Sequence, residues 1–206
     1  MHYSTDHVFD GAQHAPYLET DGTNPVNAYG CSKLAGEEAI RASGVAYLIL
    51  RISWVYGMHG NNFLRTIQRL AGDRDELAIV ADQFGAPTWS RTVAQHTALA
   101  LTQLCRWSQD RGSAEAPMIS GDIWKKFGGV YHLTAQGHTT WYGLACAIVR
   151  NGPRAQAVQI KPITTDDYAA PARRPPNGRL LCERFTQRFG TLPMWDAALA
   201  SCLQET

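Results

Sequence analysis

The stretch from Val45 to Tyr56, VAYLILRISWVY, limits more than any other how this chain can fold. It is a nearly continuous β-branched and aromatic run closed by Gly57. An amphipathic strand would alternate apolar and polar residues, whereas parallel strands covered by helices on both faces run apolar throughout. The run therefore predicts a strand buried on both sides. Ahead of it, Thr23 to Ile40 reads as a helix. Asn24 offers a capping side chain, Pro25 suits a first helical turn, and Gly44 supplies the stop. Its apolar series is Ala28, Leu34, Ala35, Ala39 and Ile40, with Glu37 and Glu38 expected to face water. Residues 2 to 9, HYSTDHVF, read as a shorter strand. Strand, helix and strand make one crossover unit of an α/β fold.

The helix places Tyr29 and Lys33 four residues apart. Side chains at i and i+4 lie one above the other on a helix face, so a phenol and an ammonium can point into one cleft. A cation within ~4 to 6 Å of a phenol favours the phenolate form, which is how a tyrosine becomes a usable general acid. The same spacing also occurs on ordinary solvated helix faces, so the pair needs support from its neighbours. Ser4 and Thr5 supply some. They fall near the end of the first strand, and ligands of open α/β sheets gather outside the carboxyl ends of strands. A turn-forming Ser/Thr/Asp cluster is the competing interpretation.

Further along, Trp54 and Tyr56 close the buried strand, where a ring can pack on a ligand or fill the core. NFLRTIQRLA from Asn62 is an amphipathic helix with Phe63, Ile67 and Leu70 on one side; Arg65 and Arg69 lie elsewhere, either solvated or paired with phosphate. A short strand at ELAIV, a Gly/Pro turn and a helix at RTVAQHTALALTQLCRW follow, the last with core positions Val93, Ala94, Thr97, Ala98, Leu101 and Leu104. Ser108 to Gly129 breaks every period and reads as an exposed loop. VYHLTA, the helix HTTWYGLACAIV, the strand VQIKPIT and a proline-constrained segment with Arg173 and Arg174 lead to a closing helix pair. Those two arginines fit internal salt bridges or an anion contact.

Composition narrows the function classes. With 206 residues and 45% hydrophobic content the chain can bury one core, or a core with a small annex. A formal net charge of +1 offers no general attraction to nucleic acid or membrane, so neither is an expected partner. The five Cys include no CxxC pair, which fits reduced thiols. The seven His form no HExxH pattern, leaving zinc without support. No apolar run approaches the roughly 18 residues of a membrane span, and the N-terminus lacks a signal-peptide pattern. The expected location is the cytoplasm.

Seven segments in order, YSTDHVFDG, NAYGCSKLAGE, LRISWVYG, GNNFLRTIQRLA, VADQFGAPTW, GVYHLTAQGHTTW and PARRP, resemble dTDP-4-dehydrorhamnose reductases, members of the extended short-chain dehydrogenase/reductase group. The resemblance covers nearly the whole chain apart from 108–129. It implies NADPH- or NADH-dependent reduction of dTDP-4-dehydro-L-rhamnose to dTDP-L-rhamnose. By motif position it gives Tyr29 as proton donor, Lys33 as the cation that tunes Tyr29 and holds the nicotinamide ribose, and Thr5 as a donor to the substrate carbonyl. Ser4 would join Tyr29 and Lys33 at the cofactor; Thr5, His7, Trp54 and Asn62 would contact the sugar nucleotide. Mg²⁺ stays open, since no carboxylate cluster is assignable to a metal.

The sequence also departs from the family. It contains no GxGxxG or GxxGxxG turn to receive a cofactor pyrophosphate. His7 stands where the family usually has Tyr, and Gly178 and Leu181 replace a common Ser and Asp. The implied fold is a partial Rossmann-like parallel sheet in residues 1–107, an exposed loop at 108–129 and a small C-terminal α/β substrate-binding region at 130–206. A truncated reading of a longer reductase, completed by an N-terminal half or by a homodimer partner, is the expectation. A non-catalytic sugar-nucleotide-binding or regulatory subunit and a related sugar-nucleotide epimerase are the alternatives.

Overall fold

A computed structural model of the chain describes residues 1–109, 119–152, 157–168, 170 and 172–205. It is an α/β fold. Strand β1 (His2–Thr5) runs into a 3-10 turn at Asp6–Val8, and after a long loop helix α1 (Ala28–Ala42) leads to β2 (Leu48–Ile52). Then come β3 (Val55–Tyr56), α2 (Phe63–Asp73), β4 (Glu76–Val80), β5 (Phe84–Gly85), β6 (Thr88–Trp89) and α3 (Ser90–Gln109). The remaining elements are α4 (Gly121–Phe127), β7 (Gly129–His132), β8 (Thr139–Thr140), α5 (Trp141–Arg150), β9 (Gln159–Ile163), α6 (Glu183–Phe189) and α7 (Trp195–Leu203).

The central sheet has the order β1-β2-β7 and is parallel throughout. In its register Thr5 pairs with Ile52 and Arg51 with His132, so the carboxyl ends of β1 and β2 finish side by side. Leu48, Ile49 and Leu50 are fully buried, as expected for a middle strand covered on both faces. One apolar cluster lies under this sheet, with Leu48, Leu50, Leu104, Tyr131, Phe185 and Phe189. A second, with Leu64, Ile67, Leu77, Leu144, Ile148 and Leu199, holds the parallel pair β4-β9 against α2, α5 and α7.

Several expectations need correction. The run 45–56 is two strands, because the backbone turns at Trp54, which has φ 46°, before β3 pairs with β6. The first strand stops at Thr5, whose side chain caps the 3-10 turn. Helix α1 starts three residues later than Asn24-Pro25 suggests: Asn27 is its N-cap, its side chain accepting from the Gly30 N–H at 2.8 Å. The stretch 108–129 is not one loop. Helix α3 extends to Gln109 and α4 fills 121–127, its Ile123 buried against the sheet cluster; 110–118 lie outside the described residues. On α3, Ala94 and Ala98 face solvent while Thr92 and Ala100 are buried, and on α2 the buried residues are Leu64, Ile67 and Ala71. The division at 107/130 is not spatial either. Strand β7 joins β1 and β2, and β9 pairs with β4, so the two regions interleave. The five cysteines are all free, and among the described residues no helix is long and apolar enough to cross a membrane.

Candidate active site

The carboxyl-terminal half of β1 and the turn after it gather five of the residues singled out from the sequence. Thr5 and Ser4 are buried there, His7 lies in the turn beyond, and α1 carries Tyr29 and Lys33 past the same point. The Lys33 ammonium donates to the Tyr3 carbonyl oxygen at 3.1 Å, fixing it at the outer side of β1. An ammonium has three N–H donors, so two stay free for other acceptors. Tyr29 is 53% exposed and meets the His7 ring edge-on, with centroids 5.5 Å apart.

Asn27 organises this corner. Its oxygen caps α1, and its amide nitrogen donates both to His7 Nδ1 and to the Arg173 carbonyl, each at 3.0 Å. His7 Nδ1 is thus an acceptor, and in the neutral ring the hydrogen sits on Nε2. The segment around Arg173 and Arg174 is consequently brought to the site by backbone, while both side chains are exposed.

Thr5 is already engaged. Its hydroxyl donates to Asp6 Oδ1 at 3.0 Å and its oxygen accepts from the His7 N–H at 3.2 Å. Asp6 is buried, and its other oxygen accepts from Ser53 at 2.9 Å. Burial raises the Asp6 carboxyl above its ordinary value, against the lowering effects of neighbouring His7 and the Ser53 and Thr5 hydroxyls. Gly178 packs so closely on Asp6 that an added Cβ would overlap the carboxylate, with the carboxyl carbon at 3.4 Å. A serine at 178 does not fit this arrangement.

Two other sequence candidates behave differently. Trp54 is half-buried and stacks on Trp141, centroids 3.6 Å apart and planes at 8°; Trp141 in turn donates to Gln83 at 3.1 Å. Asn62 is consumed as the N-cap of α2: its oxygen accepts from the Arg65 N–H, and its amide donates to the carbonyls of Gly57 and His59. The capping role leaves it no unspent side-chain donor with which to meet a substrate. Arg65 and Arg69 line a separate hollow of about 480 Å³ with Gly60, Asn61, Thr66 and Gln68. Among the described residues no group of three or more His, Cys, Asp or Glu is placed to hold a metal ion.

Glu37, expected at the surface, is fully buried. Both its oxygens take a fork from Arg51, Nε at 2.8 Å and Nη2 at 2.7 Å, and Arg41 adds a third bond at 2.8 Å. Burial alone would raise this carboxyl; the hydrogen bonds and charge of Arg51, with Ser4 and Arg41, outweigh it and hold the group below its ordinary value.

Residues 1–206 match the family described as RmlD substrate binding domain. The chain belongs to that family. It is 47% identical to the dTDP-4-dehydrorhamnose reductase of Burkholderia thailandensis, over 100% of this chain and 67% of that protein. The dTDP-4-dehydrorhamnose reductase of Escherichia coli K12 is 41% identical over 100% of this chain and 64% of its own. Among solved structures, a dTDP-4-dehydrorhamnose reductase from Bacillus anthracis in complex with NADP superposes with a TM-score of 0.82 at 29% identity, covering 100% of this chain and 65% of that one. The chain spans about two thirds of the length of the curated relatives it matches.

For an RmlD substrate-binding domain, sequence reasoning missed Asp6, Asn27, Ser53, Glu37, Arg51 and Trp141 at or beside the site. Two carried a signal. Glu37 continues the i, i+4 series of Tyr29 and Lys33, and Arg51 is a lone charge inside an apolar strand, which demands a buried partner.

Proposed function

We propose that this chain provides the substrate-binding and proton-donating part of an enzyme that reduces dTDP-4-dehydro-L-rhamnose to dTDP-L-rhamnose with NADPH or NADH. The placement of Tyr29 against His7 and of Lys33, one helical turn on, against the Tyr3 carbonyl of β1 carries this reading. The whole-length similarity to proteins named dTDP-4-dehydrorhamnose reductase supports it.

The donor set fits the ribose and nicotinamide end of such a cofactor: a lysine with free N–H groups and an exposed phenol lie one turn apart on α1. Among the described residues the pyrophosphate finds no comparable cradle, because β1 leads into a 3-10 turn and not into a glycine-rich turn with a helix behind it. That part would be held by the portion of the relatives' length that this chain does not span, or by a second copy. When bound, the nicotinamide supplies the hydride for the sugar carbon. Tyr29 then gives its hydroxyl proton to the oxygen as negative charge develops there, and Lys33 positions the ribose. Thr5 adds a second donor only by turning its hydrogen away from Asp6. Trp54, held by Trp141, offers a ring to the sugar, and the Arg65/Arg69 hollow offers charge to the nucleotide phosphates.

The test is NADPH oxidation by the chain with dTDP-4-dehydrorhamnose, run beside Tyr29→Phe, with the product identified by mass and by NMR of the sugar ring. Loss of about 100-fold or more in turnover for Tyr29→Phe is expected. Equal turnover in that variant would overturn the proton-donor role. A C5 epimer without reduction would favour an epimerase. A folded chain that binds the sugar nucleotide without turnover would favour a binding subunit.

A further inference from the structure

Helix α1 is seated on the fold in an unusual way. Of its 15 residues only Gly30 and Glu37 are buried. Gly30 lies directly against the His7 carbonyl, and a methyl added there would also stand 2.9 Å from Pro25 Cβ, so the first turn is set by backbone contact. Leu34 touches the small cluster of Val8, Phe9, Tyr17 and Leu180. The second half has one deep anchor, Glu37.

Tyr29, Lys33 and Glu37 follow one another at i, i+4 and i+8, a stripe that drifts only about 40° per step around the helix. The anchor therefore belongs to the face that carries the proposed proton donor and its lysine. Arg51, which grips Glu37 with two parallel bonds, stands in β2 opposite Ser4 of β1, one residue before Thr5. Arg51 is itself fixed, 1% exposed and stacked 5.0 Å over the Phe9 ring. A two-point fork on a planar guanidinium admits essentially one helix rotation and one height above the sheet. An apolar pair of similar volume often matches or exceeds such a buried ion pair in stability, yet tolerates small slides.

We propose that Glu37 and Arg51 are positioning residues, whose fork sets the rotation and height of the face bearing Tyr29 and Lys33, separately from what it contributes to folding. This rests on the proposed roles of Tyr29 and Lys33.

Stability and positioning are separated by the double variant Glu37→Leu/Arg51→Met. Glu37→Leu alone strands the Arg51 charge and lowers the urea midpoint; the double variant recovers it. If the fork positions α1, the recovered double variant still exchanges the amides of Lys33–Ala42 about tenfold faster than the parent, while those of Leu48–Ile52 keep their protection. Its kcat falls about tenfold or more, with KM for the sugar nucleotide within about twofold. Parental exchange in α1 of the double variant would overturn the proposal. Should that variant fail to fold, Glu37→Gln, which keeps the shape and removes the charge, is read by the same exchange comparison and judged by the same outcomes. Tyr29→Phe serves as the control: full turnover there sinks the catalytic reading, whereas the exchange result decides the seating of α1 with or without turnover.

Discussion

Gly30, in the first turn of α1, presses on His7 so tightly that a side chain of any size at position 30 would overlap the His7 carbonyl oxygen. In a free helix Gly→Ala stabilises by about 1 kcal/mol. Here the obstacle is backbone, so α1 or the 3-10 turn must shift. Gly30→Ala is expected to destabilise by about 1–3 kcal/mol in urea titration, with loss of the Tyr29–His7 contact. A more stable variant would show that the turn yields easily.

His132 gives a pH prediction. Burial, and then the neighbouring Arg51 charge, push its imidazole down to about 3. A histidine depressed in the folded state contributes stability that is present above its unfolded value near 6.5 and is lost as pH falls through the folded value. Its share of the acid slope is about 1.4 kcal/mol per pH unit across that window. His132→Gln should flatten the pH dependence of unfolding between those values, and an unchanged slope would mean that the ring titrates freely.

Asp6 has the opposite sign. Burial first, opposed by His7, Ser53 and Thr5, raises its carboxyl from 3.8. A raised group contributes stability that is fully present below the unfolded value and is lost as pH rises through the folded one. Asp6→Asn, which never ionises, should therefore gain on the parent as pH rises above 3.8. Parallel stability curves for the two chains would refute the raised carboxyl.

Gly85 faces the Trp54 indole, and a Cβ there would stand 2.6 Å from Nε1 and 2.8 Å from Cδ2. Gly85→Ala is expected to break the Trp54–Trp141 stack, visible as a change in the near-ultraviolet circular dichroism couplet, and to raise KM for the sugar nucleotide several-fold. The stack is worth about 0.5–1.5 kcal/mol beyond its buried area, so the chain should still fold. An intact couplet would show that the indoles slide together to make room.

The α1 face of Tyr29 and Lys33 and the apolar strand at Leu48–Ile52 were legible because each rests on local periodicity. The start of α1 was not, since Asn24-Pro25 and Asn27 both satisfy capping rules, and only Asn27 has its oxygen within reach of the Gly30 N–H. Glu37 was misplaced because helix-surface statistics say nothing of Arg51, which approaches from another element. Trp54 shows the same limit. Its left-handed backbone divides a run that composition alone keeps whole, and the reason, the pairing of Val55 with Thr88, lies far along the chain. Asn62 kept the sequence signature of a substrate contact while spending its side chain on a cap.

The seat of α1 has a thermal consequence. Oil-filled contacts lose strength on cooling because their hydration carries a large heat capacity. Helix α1 is fastened by a fork of charges, a lysine on a carbonyl and a glycine on a backbone, with Leu34 its modest apolar contact. Its detachment would uncover little hydrocarbon, so the grip on Tyr29 should stay nearly constant from cold to warm while the cores beneath it wax and wane.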